Sequence, residues 1–139
     1  DHVPVDLELR GCPIDRLQLL EVIMAFLVGR TPDIPAHSVC VECKQRGTPC
    51  LMVAAATPCL GPVTHAGCGA LCPTFNRGCY GCFGPMDSAN IAAMIDALET
   101  RGMATGDIER LFHTFNAWAP SFRDAGVAVE PPRRRPHDR

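Results

Sequence analysis

The 139-residue sequence predicts an α+β chain in three parts: the terminal βα unit of an α/β layer, a loop-rich segment organised by cysteine, and C-terminal helices. Three observations carry that expectation. Residues 3–28 change from a period of two to a helical period across a Gly-Cys turn. Eight of the nine cysteines fall between residues 40 and 82, among glycines and prolines. Apolar residues then return at helical spacing from Ile91 to Phe115.

Residues 3–9, V-P-V-D-L-E-L, alternate apolar and polar, the pattern of a strand, with Pro4 suited to a strand start or an edge. Gly11-Cys12-Pro13 reads as a turn. Leu20, Ile23, Met24 and Leu27 recur at helical spacing on a segment from about Asp15 to Val28, stopped by Gly29. One βα unit cannot bury both of its faces, so residues 1–36 read as the end of an α/β layer whose earlier strands are absent. T-P-D-I-P-A-H, residues 31–37, is a linker. Residues 37–87 show no sustained period and read as loops with short helical turns, folded by metal–sulfur bonds. Ser88 is the expected N-cap of a helix with Ile91, Met94, Ile95 and Leu98 on one face and Gly102 at its end. A second helix starts near Thr105–Asp107, with the stripe Ile108, Leu111, Phe112 and Phe115. Both stripes read as core packing within a helical segment, 88–125. Residues 126–139 read as a disordered tail, whose Arg133–Arg135 run is a solvated charge cluster before it is an acidic partner's site.

A chain of this length buries roughly two-thirds of its unfolded surface and needs no covalent staples merely to hold a core. The formal charge of −2 does not suggest a nucleic-acid or membrane-surface binder. No apolar run reaches the roughly 18 residues of a membrane span, and no signal peptide opens the chain. The first residue is Asp1, so the chain is expected to be a fragment or a processed product. Nine cysteines are an odd number for an all-disulfide scheme, and Cys40-x-x-Cys43 and Cys79-x-x-Cys82 each set two sulfurs within reach of one metal centre.

In order, the eight clustered cysteines form two quartets: Cys40, Cys43, Cys50, Cys59, and then Cys68, Cys72, Cys79, Cys82. Four thiolates suit either a tetrahedral zinc or a 4Fe–4S cluster. Three features favour iron–sulfur. Each quartet holds only one C-x-x-C, its other ligands being spread through loops, whereas zinc ribbons usually take two tight knuckles per ion. C-L-G-P at Cys59, L-C-P at Cys72 and C-F-G-P at Cys82 place Gly or Pro beside sulfur, and glycine lets backbone N–H groups approach it. Leu51, Val53, Leu60, Val63, Leu71 and Phe83 lie between ligands, where a dry shell would set the dielectric. A zinc-organised interaction module with two four-cysteine sites and no redox role stays open as the alternative.

V-C-V-E-C-K, then P-C-L-G-P-V-T-H-A-G-C-G-A-L-C-P, then R-G-C-Y-G-C-F-G-P resemble the small, electron-transfer subunit of a NiFe hydrogenase. The likeness is to the soluble cytoplasmic branch, with its sulfhydrogenase-type, NADP-linked and deazaflavin-reducing members, and it runs from about residue 3 to residue 90. The resemblance implies a flavodoxin-like N-terminal domain, of which residues 1–36 would be the last βα piece. It implies three clusters in a line. Cys12 would be one of four proximal-cluster ligands, the other three lying in segments absent here. Cys40, Cys43, Cys50 and Cys59 would hold the distal cluster, and Cys68, Cys72, Cys79 and Cys82 the medial one. The better-known periplasmic pattern has His where this chain has Cys40 and Pro where it has Cys72, so both complete clusters are expected to be 4Fe–4S. The implied partners are the large subunit carrying nickel and iron and a diaphorase-type or other iron–sulfur or flavin subunit, with no nucleic acid and no membrane span. The implied location is cytoplasmic. The chain would be the C-terminal part of such a subunit, or one piece of a split one, with no catalytic residue of its own.

The remaining candidates are weaker. His65, between Cys59 and Cys68, suits a hydrogen bond to sulfur or plain exposure. His37 is an alternative distal ligand that Cys40 outcompetes. Lys44, Arg46 and Arg77 beside ligands would raise a cluster's potential or simply be solvated. Tyr80 and Phe83 suit packing over a cluster. No nucleophile–base pair, paired carboxylates or phosphate loop is present, so the chemistry expected of this chain is one-electron transfer by an inorganic cofactor.

Overall fold

The structure, a computed structural model, describes residues 3–125. It is built of short helices: α1 (Arg16–Leu27), α2 (Val39–Gln45), α3 (Leu51–Ala54), α4 (Leu71–Thr74), α5 (Ile91–Glu99), α6 (Thr105–Phe112) and α7 (Pro120–Ala125), with a 3₁₀ turn at Gly61–Val63. The expected strand at 3–9 does not form. A single strand has no ladder partner to satisfy its N–H and C=O groups. The β pairing among the described residues consists of isolated bridges, Gly11 with Ile14, Ser38 with His65 and Thr64 with Pro85. The tail expected at 126–139 lies outside the described residues.

Helix α1 begins where the sequence sets it. Asp15 caps it, its carboxylate accepting from the N–H groups of Leu17 (2.9 Å) and Gln18 (3.0 Å). Its buried residues are Val22 and Ala25 rather than the expected stripe. Leu20, Ile23, Met24 and Leu27 are all exposed, Leu27 at 75%. The linker folds back on α1 through Glu21, which accepts from both terminal nitrogens of Arg30 (2.5 and 2.8 Å) and from the N–H of Asp33 (2.9 Å). Those donors hold the Glu21 carboxyl down at about 2.

The main core lies under α5, α6 and α7. Met94, Ile95 and Leu98 of α5 meet Ile108 and Phe112 of α6 and Phe122 of α7, together with Met52, Leu60 and Val63 from the cysteine segment. Phe112 and Phe122 meet edge to face, ring centroids 5.4 Å apart. The N-cap of α5 is Asn90, which accepts from the N–H of Ala93 (3.0 Å), two residues later than Ser88. Gly102 ends that turn with a φ of 84°, which only glycine takes without strain. Phe115 falls beyond α6 and is partly exposed, so the expected stripe ends at Phe112. Helix α7 was not anticipated from the sequence.

Candidate metal centres

The four thiols of the first quartet come from three different pieces of chain. Cys40 and Cys43 stand one turn apart on α2, Cys50 precedes α3, and Cys59 precedes the 3₁₀ turn. All four line one cavity of about 110 Å³, together with Leu51, Met52 and Lys44. Gly61 forms part of the cradle. A methyl group there would stand 3.3 Å from the Cys59 sulfur and 3.5 Å from that of Cys40.

The second quartet lines a cavity of about 400 Å³, and Cys12 lies on the same wall system. Cys68 and Cys72 flank the turn into α4, while Cys79 and Cys82 bracket Tyr80 and Gly81. Leu71, Phe83 and Val39 complete the apolar lining. Five thiols thus share one cavity, the fifth being Cys12.

Burial is the leading influence on Cys40, Cys43, Cys68, Cys79 and Cys82. It pushes the Cys40 thiol up to about 11, with the neighbouring Cys59, Cys43 and Cys50 adding to the effect. It pushes Cys79 up to about 12, against the pull of backbone N–H donation from Gly81. Cys82 rises to about 11, again from burial first and then from Cys68, Cys72 and Cys12. Cys43 and Cys68 are raised for the same leading reason. Burial outweighs the pull of Lys44 on Cys40, so these thiols hold their protons, and a metal or cluster must displace those protons to bind. Among the described residues no three His, Cys, Asp or Glu side chains converge on a single-ion position. Four thiols line the first cavity and five the second, a donor set that suits four-thiolate ligation.

The two cavities share a wall. The N–H of Cys79 donates to the sulfur of Cys59 at 3.1 Å, and the N–H of Leu60 donates to the carbonyl of Cys79 at 2.9 Å. Val39, Ala70 and Cys79 are buried there, with Cys43, Cys59 and Cys68 packed on them. The approach depends on Gly78: a Cβ at that position would stand 1.8 Å from the carbonyl oxygen of Pro58.

Of the residues expected to form a dry shell, Leu51, Leu60, Val63 and Phe83 are buried. Val53 (78% exposed) and Leu71 (54% exposed) are corrections: Val53 is exposed on the one-turn helix α3, and Leu71 lines the larger cavity while more than half exposed. The His65 and His37 rings pair through Nδ1 with the carbonyls of Ala66 (2.8 Å) and Ser38 (3.2 Å), and neither ring lines a thiol cavity. Lys44 lines the first cavity, and Tyr80 and Phe83 line the second. The Arg46 guanidinium covers Gly69. Arg77 lines neither cavity, and its N–H closes the turn onto the Cys72 carbonyl. Two residues escaped the sequence reading. Glu42 is a buried carboxylate between Cys40 and Cys43, and Asn116 donates from its side-chain amide to the carbonyl of Gly81 (2.9 Å). A charged residue on a short helix between two ligands was the available signal for the first. Nothing local marks the second.

Fold and site together define a chain built around two adjoining thiol-ringed cavities and backed by a small helical core. No family model matches it. Its relatives are hydrogenase subunits. It is 37% identical to the sulfhydrogenase 2 subunit delta of Pyrococcus furiosus over 85% of this chain and 49% of that protein. It is 36% identical to a subunit of the F420-non-reducing hydrogenase of Methanocaldococcus jannaschii over 64% of this chain and 37% of that one. The iron-sulfur subunit of the F420-non-reducing hydrogenase of Archaeoglobus profundus is 32% identical over 60% of this chain and 35% of its own length. The resemblance to hydrogenase electron-transfer subunits, first carried by the cysteine motifs, therefore extends over most of the chain. The chain spans about half the length, or less, of these relatives. No helix among the described residues is long and apolar enough to cross a membrane.

Proposed function

We propose that this chain is the cluster-bearing part of a NiFe hydrogenase small subunit and relays single electrons between a large subunit's nickel–iron site and a further redox subunit. The single observation that carries the reading is the pair of thiol-ringed cavities in direct contact through Cys79 and Cys59. Cys40, Cys43, Cys50 and Cys59 would hold one 4Fe–4S cluster, the distal one. Cys68, Cys72, Cys79 and Cys82 would hold the medial one. Cys12 would contribute one ligand to a third, proximal cluster completed by other residues. Its place on the wall of the second cavity suits a relay in which the proximal site adjoins the medial one.

When bound, the clusters supply reversible one-electron chemistry. The chain's own residues supply position and environment. Leu51, Leu60, Val63 and Phe83 keep water away. The N–H of Gly81 favours the Cys79 thiolate, and the N–H of Cys79 donates to the sulfur of Cys59 at 3.1 Å. The partner on the acceptor side would be a diaphorase-type or other iron–sulfur or flavin subunit, and the setting the cytoplasm, where thiols stay reduced.

Anaerobically purified chain is expected to be brown, with broad absorbance at ~400 nm that dithionite bleaches. Cys72→Ala is expected to turn one cluster into a 3Fe–4S species with its own electron-spin signal, leaving the other unchanged. Colourless protein carrying stoichiometric zinc would overturn the redox reading in favour of a zinc-organised module.

A further inference from the structure

Glu42 is a charged side chain with only 9% of its surface exposed, set between two candidate ligands of one cavity and directed at a loop of the other. Its Oε1 accepts from the N–H groups of Gly67 (2.9 Å) and Gly69 (3.1 Å). Its Oε2 accepts from the N–H of Ala70 (3.1 Å) and lies 3.9 Å from the Cys68 sulfur. The loop is unusual in its backbone. Gly67, Gly69 and Ala70 all have positive φ, at 136°, 62° and 54°. A left-handed alanine is strained, and Ala70 is fully buried, so something must hold it there. Successive N–H groups turned inward by such a backbone form a concave anion site, here filled by the chain's own carboxylate.

We propose that Glu42 is a positioning residue that ties the two sites together: it holds the 67–70 loop in the shape that presents Cys68, and its negative charge lowers the reduction potential of the second site relative to the first. The charge argument is local. The carboxylate stands 3.9 Å from the Cys68 sulfur, and a nearby anion disfavours adding an electron to an already anionic cluster. The potential part of this inference rests on the iron–sulfur reading above, whereas the loop part does not.

Glu42→Gln tests both, because the shape is kept and an amide nitrogen cannot accept. One of the N–H groups of Gly67, Gly69 and Ala70 would then face a donor. In the full chain purified anaerobically, hydrogen exchange over residues 66–71 is expected to speed up at least about tenfold, with α5 and α6 unchanged. In a redox titration followed by electron spin resonance, both midpoints are expected to rise, the second cluster's by more than the first's, because the Glu42 charge also reaches Cys43 but ranks higher among the causes acting on Cys68. Glu42→Ala is expected to shed iron from the second site alone, from about eight irons per chain toward about four. Unchanged exchange together with an unchanged midpoint overturns the proposal. So does acceleration spread across α5 and α6, which would make Glu42 a general packing residue. If wild-type protein carries no iron, the function reading fails, and the exchange experiment still decides the clamp.

Discussion

Two residues with no chemistry of their own set how close the two sites come. Gly78 brings its backbone against Pro58, and Gly61 leaves room beside the sulfurs of Cys59 and Cys40. The contact at Gly78 is backbone to backbone, so no rotamer can relieve it. Gly78→Ala is expected to force Pro58 and Gly78 apart. That would break the N–H to sulfur bond from Cys79 to Cys59 and cost about 1–3 kcal/mol or more, the range of overpacking. The measurement is the denaturation midpoint together with metal content, and a variant that retains both would show that the backbone there shifts freely. Gly78 lies inside a motif visible in the sequence, R-G-C-Y-G-C-F-G-P, yet its role is not. Periodicity and spacing identify thiols, but they do not say which distant carbonyl a glycine must pass.

At the scale of elements, the C-terminal helices act as a brace for the second quartet. The ring of Phe122 on α7 packs over Gly81, where a Cβ would stand 3.0 Å from it, and Asn116 holds the Gly81 carbonyl. Phe122 also meets Phe112 and Leu60, so one side chain joins the helical core to the Cys79–Cys82 turn. Phe122→Ala is expected to destabilise the fold by about 3–5 kcal/mol, as for other buried Phe truncations. It should also lower metal retention at the second quartet before the first, read by thermal melting and metal analysis of partly loaded protein. Equal loss at both sites would count against a local brace. Helices α1, α5 and α6 were legible because apolar residues recur in them at helical spacing, although the cap of α5 is Asn90 rather than Ser88 and the expected stripe of α1 is exposed. Helix α7 was not, because six residues beginning with a proline carry too little pattern, and its existence rests on tertiary burial of Phe122 and Ala125.

For the molecule as a whole, burial of thiols ties folding, ligation and pH together. Cys40 and Cys82 sit at about 11 and Cys79 at about 12, all above an ordinary 9.0. In the metal-free chain the unfolded state would release these protons near pH 9 while the folded state keeps them. That contribution to stability is therefore full below pH 9 and lost as pH rises through 11 and 12. Ligation runs the other way. It needs thiolate, so apparent affinity for the metal or cluster is expected to climb from about pH 6 to about pH 9, by about tenfold per unit for each proton displaced. Competition with a chelator across that range measures it, and a flat profile would rule the thiols out as ligands. The opposite end of the chain has a different whole-molecule property. Helix α1 exposes Leu20, Ile23, Met24 and Leu27 with no covering element among the described residues.

Residue type and spacing along the chain were enough to give the order of the cysteines, the helices at Ile91–Glu99 and Thr105–Phe112, and the likeness to hydrogenase subunits. Whatever depends on distance through space came from the folded chain. Folding set Cys12 on the wall of the second cavity, joined the two cavities through Cys59 and Cys79, and turned Glu42 of α2 into the 67–70 loop. It also removed the expected strand at 3–9, because a strand is a property of a pair of segments and the alternating pattern specifies only one of them.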